Sequence, residues 1–454
     1  MVSQTIKIEQ LIDEQKLGRF NVNLLLWSFL AMFADGYEIT AMAFAAPELV
    51  RLWGVDPASL GPVFSASLFG IFFGAPLLGY IGDRYGRKTA IVLGCLICGS
   101  STLAMVLATN MQQLIVLRVV TGIGIGGLMP NTVSLTSELS PKRFRAMLIV
   151  LMFTGITLGG GTPSVIAAWL VPQHGFTVLF LIGGVVPLVI AACVALFLPE
   201  SVKFLSLRPD KREELLRVAR KVRPDLSISP STVFELQQSM PSRGIGLRQI
   251  FSHGLHWITP LLWFCFGMTL MANYFLNSWM PVLFVQMGLP PDEAALASGL
   301  YHVGGTIGGL LISILIDRYG FVVIALLLLL GAPVVAGIGI ESIPYSVLLA
   351  LSLAAGICVL GAQFGNNAAA GLLYPTEFRA KAVGWAFSMG RFGSILGPLV
   401  GGMLLARSWP LSNLFLAAAV PLVAAAVAAM IMTRICFLRF KGLPLDDTPA
   451  ERCE

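Results

Sequence analysis

What most constrains this chain is the recurrence of long apolar stretches that contain no Asp, Glu, Lys or Arg. Residues 59–82, 89–117, 146–199 and 249–291 are all of this kind. An α-helix needs about 20 such residues to cross a bilayer, so several of these stretches hold two crossings. The whole chain is 56% hydrophobic and 12% charged, well above the apolar share and about half the charged share of soluble domains. Lipid is the solvent for most of it. Cutting at polar or Pro/Gly-rich points predicts helices near 21–46, 59–82, 88–109, 112–137, 145–170 and 176–198. A second six lie near 256–286, 293–316, 321–340, 344–373, 381–406 and 409–434.

The first apolar run follows a polar segment holding Lys7, Lys16 and Arg19 and lacks a small-residue cleavage site, so the first helix is expected to be retained. Of the 30 Lys and Arg, all but Arg51, Arg407, Arg118 and Arg391 fall on the termini and every second loop. Loops that keep positive charge during insertion are cytoplasmic, so both termini are expected there. The +6 net charge is explained by this bias, and a nucleic-acid partner is not needed. The seven cysteines suggest no disulfide framework. Cys95 and Cys98 have CxxC spacing, but on an apolar helix this only places two small thiols on one face.

The expected organisation is a cytoplasmic segment (1–20), a six-helix bundle (21–198), a cytoplasmic connector (199–255), a second six-helix bundle (256–434) and a cytoplasmic tail (435–454). In the connector, Pro209 and Pro224 bracket a short amphipathic helix, read as a solvated spacer beside lipid headgroups. The halves repeat one another. Asp83-Arg84-Tyr85-Gly86 recurs as Asp317-Arg318-Tyr319-Gly320, and Pro141, Phe144, Arg145 and Ala146 recur as Pro375, Phe378, Arg379 and Ala380, all at one offset of 234. Two pseudo-symmetric six-helix bundles that rock about a central site are the architecture of alternating access.

Gly79-Tyr80-Ile81-Gly82-Asp83-Arg84-Tyr85-Gly86-Arg87-Lys88 resembles the signature loop between the second and third helices of the major facilitator superfamily. There, glycines allow close helix approach, Asp83 can bind the positive end of the eleventh helix, and Glu138 can pair with Arg87 as a lock on the cytoplasmic side. Gly79, Asp83, Arg87, Glu138, Arg145, Asp317, Arg318 and Arg379 are the candidate cytoplasmic gate. Topological positive charge is the simpler account of Arg84 and Lys88. Arg118, followed by Thr121-Gly122-Ile123-Gly124-Ile125-Gly126-Gly127, resembles the superfamily's fourth-helix motif. An intramembrane Arg cannot shed its proton and must find an anion.

The first helix offers Asp35 and Glu38, three residues apart and on one face. At about 1.5 Å per residue, Glu38 lies roughly 25 Å and Arg118 roughly 28 Å from the cytoplasmic ends, at one depth. Two acids facing one permanent cation in a low-dielectric site form a group that can exchange a proton, and Asp35, Glu38 and Arg118 are the candidate proton-coupling residues. The alternative is a permanent ion pair.

Asp35-Gly36-Tyr37 followed by an acid resembles the aromatic acid:proton symporter family, as do Ile12-Asp13, Leu17-Gly18-Arg19-Phe20, Leu198-Pro199-Glu200-Ser201 and Gly390-Arg391-Phe392-Gly393-Ser394-Ile395-Leu396-Gly397-Pro398. The resemblance covers essentially the whole chain. It departs at Glu38, where the family's usual second acid is Asp. It implies proton-driven import of aromatic carboxylates, such as benzoate, hydroxybenzoates, protocatechuate, vanillate or a related acid, across a bacterial inner membrane. Independently, Arg391 lies near the midplane of the eleventh helix without an obvious acidic neighbour, so a carboxylate ligand would complete it; backbone carbonyls are the alternative. Tyr37, Asn273, Tyr274, Asn277, Trp279, His302, Gln363, Asn366 and Asn367 are the further substrate-binding candidates, since amides and rings suit a flat acid. Each amide can instead bridge helices, and His302 can be a packing residue. Gly159, Gly160, Gly161 and Pro163 read as close packing and bending. With no P-loop or metal-ligand cluster, no catalysis, cofactor or metal is expected, and a monomer suffices. The competing readings are a facilitator of a sugar, another metabolite or a drug, and a receptor that binds an aromatic acid without moving it.

Overall fold

The computed structural model of the protein describes residues 5–226, 228–230, 232–235, 250–251, 255–340, 342–374 and 379–440; the side chains of residues 317, 380, 439 and 440 lie outside that description. Among the described residues, the long helices are α2 (Arg19–Trp53), α3 (Leu60–Tyr85), α4 (Arg87–Met105), α5 (Met111–Leu139), α6 (Lys142–Trp169) and α8 (Thr177–Phe197). They are followed by α11 (Ile258–Gln286), α12 (Pro291–Tyr319), α13 (Val322–Ile338), α14 (Tyr345–Leu373), α15 (Arg379–Ala406) and α16 (Leu411–Phe440). Eleven are long and apolar enough to cross a bilayer, and α13 is apolar but shorter. Its 17 residues span about 26 Å, at the lower limit of a crossing. The first helix continues well past the expected end, because its turn into α3 is only a short 3₁₀ segment whose N-cap, Asp56, accepts the Ala58 N–H at 2.9 Å.

The repeat read in sequence is repeated in packing. A Cβ added at Gly70 or Gly74 would fall 2.2 Å from the carbonyl of Val119 or Ile123, and one at Gly304 or Gly308 would fall 2.1 and 2.4 Å from those of Leu353 and Ile357. Every member of the second set is the first shifted by 234. A Cβ added at Gly159 would likewise fall 2.0 Å from the Phe33 carbonyl, and one at Gly393 would fall 1.9 Å from that of Gly267. Within each half, helices cross with backbones in near contact, as membrane helices do where small residues replace hydrophobic driving force. The tight turns between α3 and α4 and between α12 and α13 also correspond. Gly86 (φ 114°) and Gly320 (φ 62°) hold backbone angles that a side chain would strain.

By packing, the chain divides into two compact units that do not coincide with the halves. One comprises residues 1–39, 69–159 and 180–241, and the other 40–68, 160–179 and 242–454. The first unit carries the short elements β1 (Thr5–Lys7), α1 (Ile8–Asp13), α9 (Val202–Ser206), α10 (Arg212–Val222) and β2 (Val233–Glu235), and the second carries the single turn α7 (Val171–His174). The connector helix is not the solvated spacer expected from its charges. Leu215, Leu216, Val218, Ala219 and Val222 of α10 are buried in one cluster with Ile8, Leu11 and Ile12 of α1, Val202 and Leu205 of α9, and Leu139. Burying a side chain of this size contributes about 1.5–3 kcal/mol, so this face is held in the unit's core. Parallel pairing of Thr5 with Val233 and Lys7 with Glu235 closes the same assembly.

Candidate functional site

The first unit holds the acid pair. Gly36 lets α2 meet α6 so closely that a Cβ would sit 2.0 Å from the Ile156 carbonyl, and this crossing fixes the residues on either side of it. Asp35, Glu38 and Arg118 are 4%, 1% and 2% exposed, three ionisable groups inside an apolar bundle. The expected meeting of Arg118 with helix α2 occurs, and one of its bonds runs to the main chain: Arg118 Nη1 donates to the Glu38 carbonyl at 3.0 Å. The Glu38 carboxyl takes the Thr102 hydroxyl on Oε2 at 2.9 Å, while its Oε1 is buried without a hydrogen-bond partner among the described residues. Tyr37 is buried beside Gly183, where a Cβ would approach the Tyr37 ring at 2.8 Å and Glu38 Oε1 at 3.0 Å.

The loops of the first unit form a polar lock. Arg87 bonds the Gly82 carbonyl at 2.8 Å, pairs with Asp83 at 2.7 Å and reaches Glu138 at 3.5 Å. Glu138 also accepts from Ser134 at 3.1 Å and from the Ser201 hydroxyl. Asp83 is largely exposed and its described partner is Arg87. Gly79 faces open space, whereas Gly82 is the close-packed glycine, with Asn131 where its Cβ would lie. Glu200 Oε1 accepts the Lys88 N–H at 3.2 Å and the Ser201 N–H at 2.9 Å, placing a carboxylate at the positive N-terminus of α4. Burial pushes the Glu200 carboxyl above the usual range, opposed by these N–H bonds. Arg145 donates to the Ser140 carbonyl at 3.3 Å, and its counterpart Arg379 to the Tyr374 carbonyl at 2.9 Å. Each arginine thus caps the C-terminal carbonyl of the preceding long helix. Arg318 lies over the Tyr319 ring at 5.5 Å; the Asp317 side chain, and Pro375 and Phe378 of the repeat, lie outside the described residues.

In the second unit, Gly390 and Gly393 turn one face of α15 onto α11, and Arg391 stands on another, half-buried. One turn along this face, the Ile395 carbonyl accepts the Ser65 hydroxyl at 2.9 Å. Among the described residues no hydrogen bond or ion pair engages the Arg391 guanidinium, while its own carbonyl accepts from Ser394. The amides divide. Asn273 accepts from Tyr301 at 2.7 Å, and Asn366 donates to Thr269 at 3.2 Å and takes the Cys265 thiol, so both bridge helices. Gln363 donates to Asn367 at 3.2 Å, but its Oε1, like Asn277 Oδ1, is buried without a partner among the described residues. Tyr274 is half-buried. Trp279 is fully buried, donates to the Pro398 carbonyl at 3.1 Å and packs edge-on against Phe64, which is the placement of a helix-packing residue. His302 sits against Gly160, whose added Cβ would lie 2.9 Å from Nδ1.

The family model described as Major Facilitator Superfamily matches residues 28–340 and 262–438. The chain is 38% identical over 440 residues to the 4-hydroxybenzoate transporter PcaK of Pseudomonas putida, covering 95% of this chain and 96% of that protein. The chain belongs to the major facilitator superfamily, in its aromatic acid:proton symporter family. This major facilitator protein is also 35% identical over 430 residues to a gallate transporter of Pseudomonas putida, covering 94% of this chain and 95% of the relative. Its fold superposes on the crystal structure of a D-xylose-proton symporter with a TM-score of 0.71 at 16% identity, covering 92% of this chain and 98% of that one. It is a multi-pass membrane transporter and not an enzyme.

Thr102, Gly183, Glu200, Ser201 and Asp13 complete this facilitator's polar clusters and are absent from the set picked out in sequence. Asp13 pairs with Lys142 at 2.9 Å and also accepts its N–H at 3.1 Å. The signal for Thr102 was present as the run Gly99-Ser100-Ser101-Thr102 in an otherwise apolar span. Asp13, Glu200 and Ser201 are visible in the sequence only as part of the family stretches.

Proposed function

We propose that this facilitator is a symporter that imports an aromatic carboxylate together with protons across a bacterial inner membrane, with both termini cytoplasmic. The observation that carries the cargo class is Arg391, a permanent cation in an apolar helix that no acid or carbonyl among the described residues engages. A carboxylate supplies the charge-assisted, bidentate partner that a guanidinium favours. The names of the relatives point to the same class, benzoate-like acids with ring hydroxyls. Asn277, Gln363, Asn367 and Tyr274 line the ring and its substituents. Asp35 and Glu38 carry the proton, with Arg118 fixed on the Glu38 carbonyl as a charge that favours its release. Rocking of the two six-helix bundles then exposes cargo and proton to the cytoplasm, and the loops around Asp83, Arg87, Glu138, Asp317, Arg318 and Arg379 reset the inner gate. The protein works as a monomer.

The test is uptake of labelled benzoate, 4-hydroxybenzoate, protocatechuate, vanillate, muconate and glucose into proteoliposomes, with and without an inward proton gradient. Accumulation of one aromatic acid that collapses with a protonophore is the expected result. Gradient-independent movement of glucose would overturn both cargo and coupling.

A further inference from the structure

Two depressions on the second unit run into one another between α13 and α16. The first, of about 330 Å³, is lined by Ala325, Leu326, Leu329 and Met430, with Arg434 at one end. The second, of about 230 Å³, shares Val322, Thr433 and Phe437 with it and adds Arg318, Tyr319 and Gly320. Together they form a trough that is apolar along α13 and cationic where α12 and α16 end. From Val322 to Leu329 the apolar part runs about 10 Å. Leu326 and Phe437 are exposed on its walls, as surface facing acyl chains can be. Neither Arg318 nor Arg434 has an ion pair among the described residues. The N-terminus of α13 opens into the same end at Val322, where helix N–H groups and the macrodipole favour an anion.

We propose that this trough holds an anionic glycerophospholipid, its phosphate between Arg318, Arg434 and the start of α13, and one acyl chain along Ala325, Leu326 and Leu329. Two arginines flanking an apolar channel at the level where a bilayer's headgroups begin match both parts of such a molecule. The positive-charge bias places this end on the cytoplasmic side, where basic pockets between spans meet anionic headgroups. The inference rests on the fold and that orientation, and is independent of the cargo. It gives Arg318 a lipid partner in place of a purely gating one.

The experiment is native mass spectrometry of the full-length protein titrated with dioleoyl phosphatidylglycerol, dioleoyl phosphatidylethanolamine or inorganic phosphate. Wild type is expected to retain one phosphatidylglycerol that millimolar phosphate does not displace, and to bind the zwitterionic lipid more weakly. At about fivefold per arginine near the headgroups, Arg318→Gln with Arg434→Gln is expected to weaken retention about thirtyfold. Arg407→Gln, at the opposite membrane face, should leave it unchanged. Ala325→Trp, which fills the trough without altering charge, should also weaken it, with circular dichroism melts confirming that each variant is folded. Equal retention of the two lipids, retention unchanged in the double variant, equal loss in Arg407→Gln, or displacement by phosphate alone would each overturn the assignment.

Discussion

Replacing Glu38 by Gln separates its charge from its structural contacts. Arg118 holds the main-chain carbonyl of residue 38, a bond indifferent to the side chain, and Thr102 finds an equivalent acceptor in the amide oxygen. The cost to stability is therefore expected to stay within about 1 kcal/mol, the net worth of one hydrogen bond. Transport should change far more. One pH unit corresponds to about 1.4 kcal/mol, so an inward gradient of two units driving one proton per carboxylate supports about hundredfold accumulation. An amide carries no proton, and the ratio in Glu38→Gln should fall to about one, while exchange of internal for external cargo continues. The assay is accumulation and counterflow in proteoliposomes, beside a thermal melt in detergent. Accumulation above about tenfold in Glu38→Gln would remove Glu38 from the coupling path. A melt showing a loss of several kcal/mol would mean that the carboxylate itself holds the bundle together.

Arg391→Gln should weaken cargo binding by about ten- to hundredfold, the worth of a hydrogen bond to a charged group, measured by calorimetry; unchanged affinity would return Arg391 to a structural role. Gly36→Ala forces a methyl to within 2.0 Å of the Ile156 carbonyl and should destabilise by about 1–3 kcal/mol or more, whereas Gly79→Ala meets nothing within 4 Å and should melt like wild type. Trp279→Phe keeps the packing but loses the bond to Pro398, so a stability loss of about 1 kcal/mol with unchanged KM is expected; a raised KM would put the ring in the binding site. Glu200 is buried, and burial raises its carboxyl pKa in the folded state. Its favourable contribution is thus present at low pH and is lost as pH rises through the folded value. Glu200→Gln should flatten that fall, seen as a smaller decrease in melting temperature from pH 4 to pH 8 than in wild type.

The spans were legible because hydropathy is a local property and a bilayer reads it along a single helix. The offset between halves was legible because Asp83 and Asp317, or Arg145 and Arg379, head the same turns in each. Partners were not. Arg118 is expected beside the acids of the first helix, and one of its bonds goes to the Glu38 main-chain carbonyl, because spacing along a helix gives depth but not which atom faces inward. The α10 helix carries enough charge to read as a solvated spacer, yet its buried face is fixed by α1 and α9, segments whose proximity only the folded chain creates. Glycines on one helix face differ: Gly82 is packed against Asn131 and Gly79, one turn away, has nothing within 4 Å, since how far a neighbouring helix reaches is set by the folded chain and not by spacing. Trp279 and Asn273 are polar side chains in apolar spans, and their hydrogen bonds go to neighbouring helices, which sequence cannot distinguish from bonds to a cargo.

The pairing of β1 with β2 also sets an order in time. Lys7 leaves the ribosome long before Glu235, and at about 5–20 residues per second the first strand waits roughly 10 to 50 s for its partner. All six spans of the first half are synthesised in that interval. The arm that begins the chain is consequently among the last parts of its unit to find its place, and its closure reports that everything between the two strands has already been made.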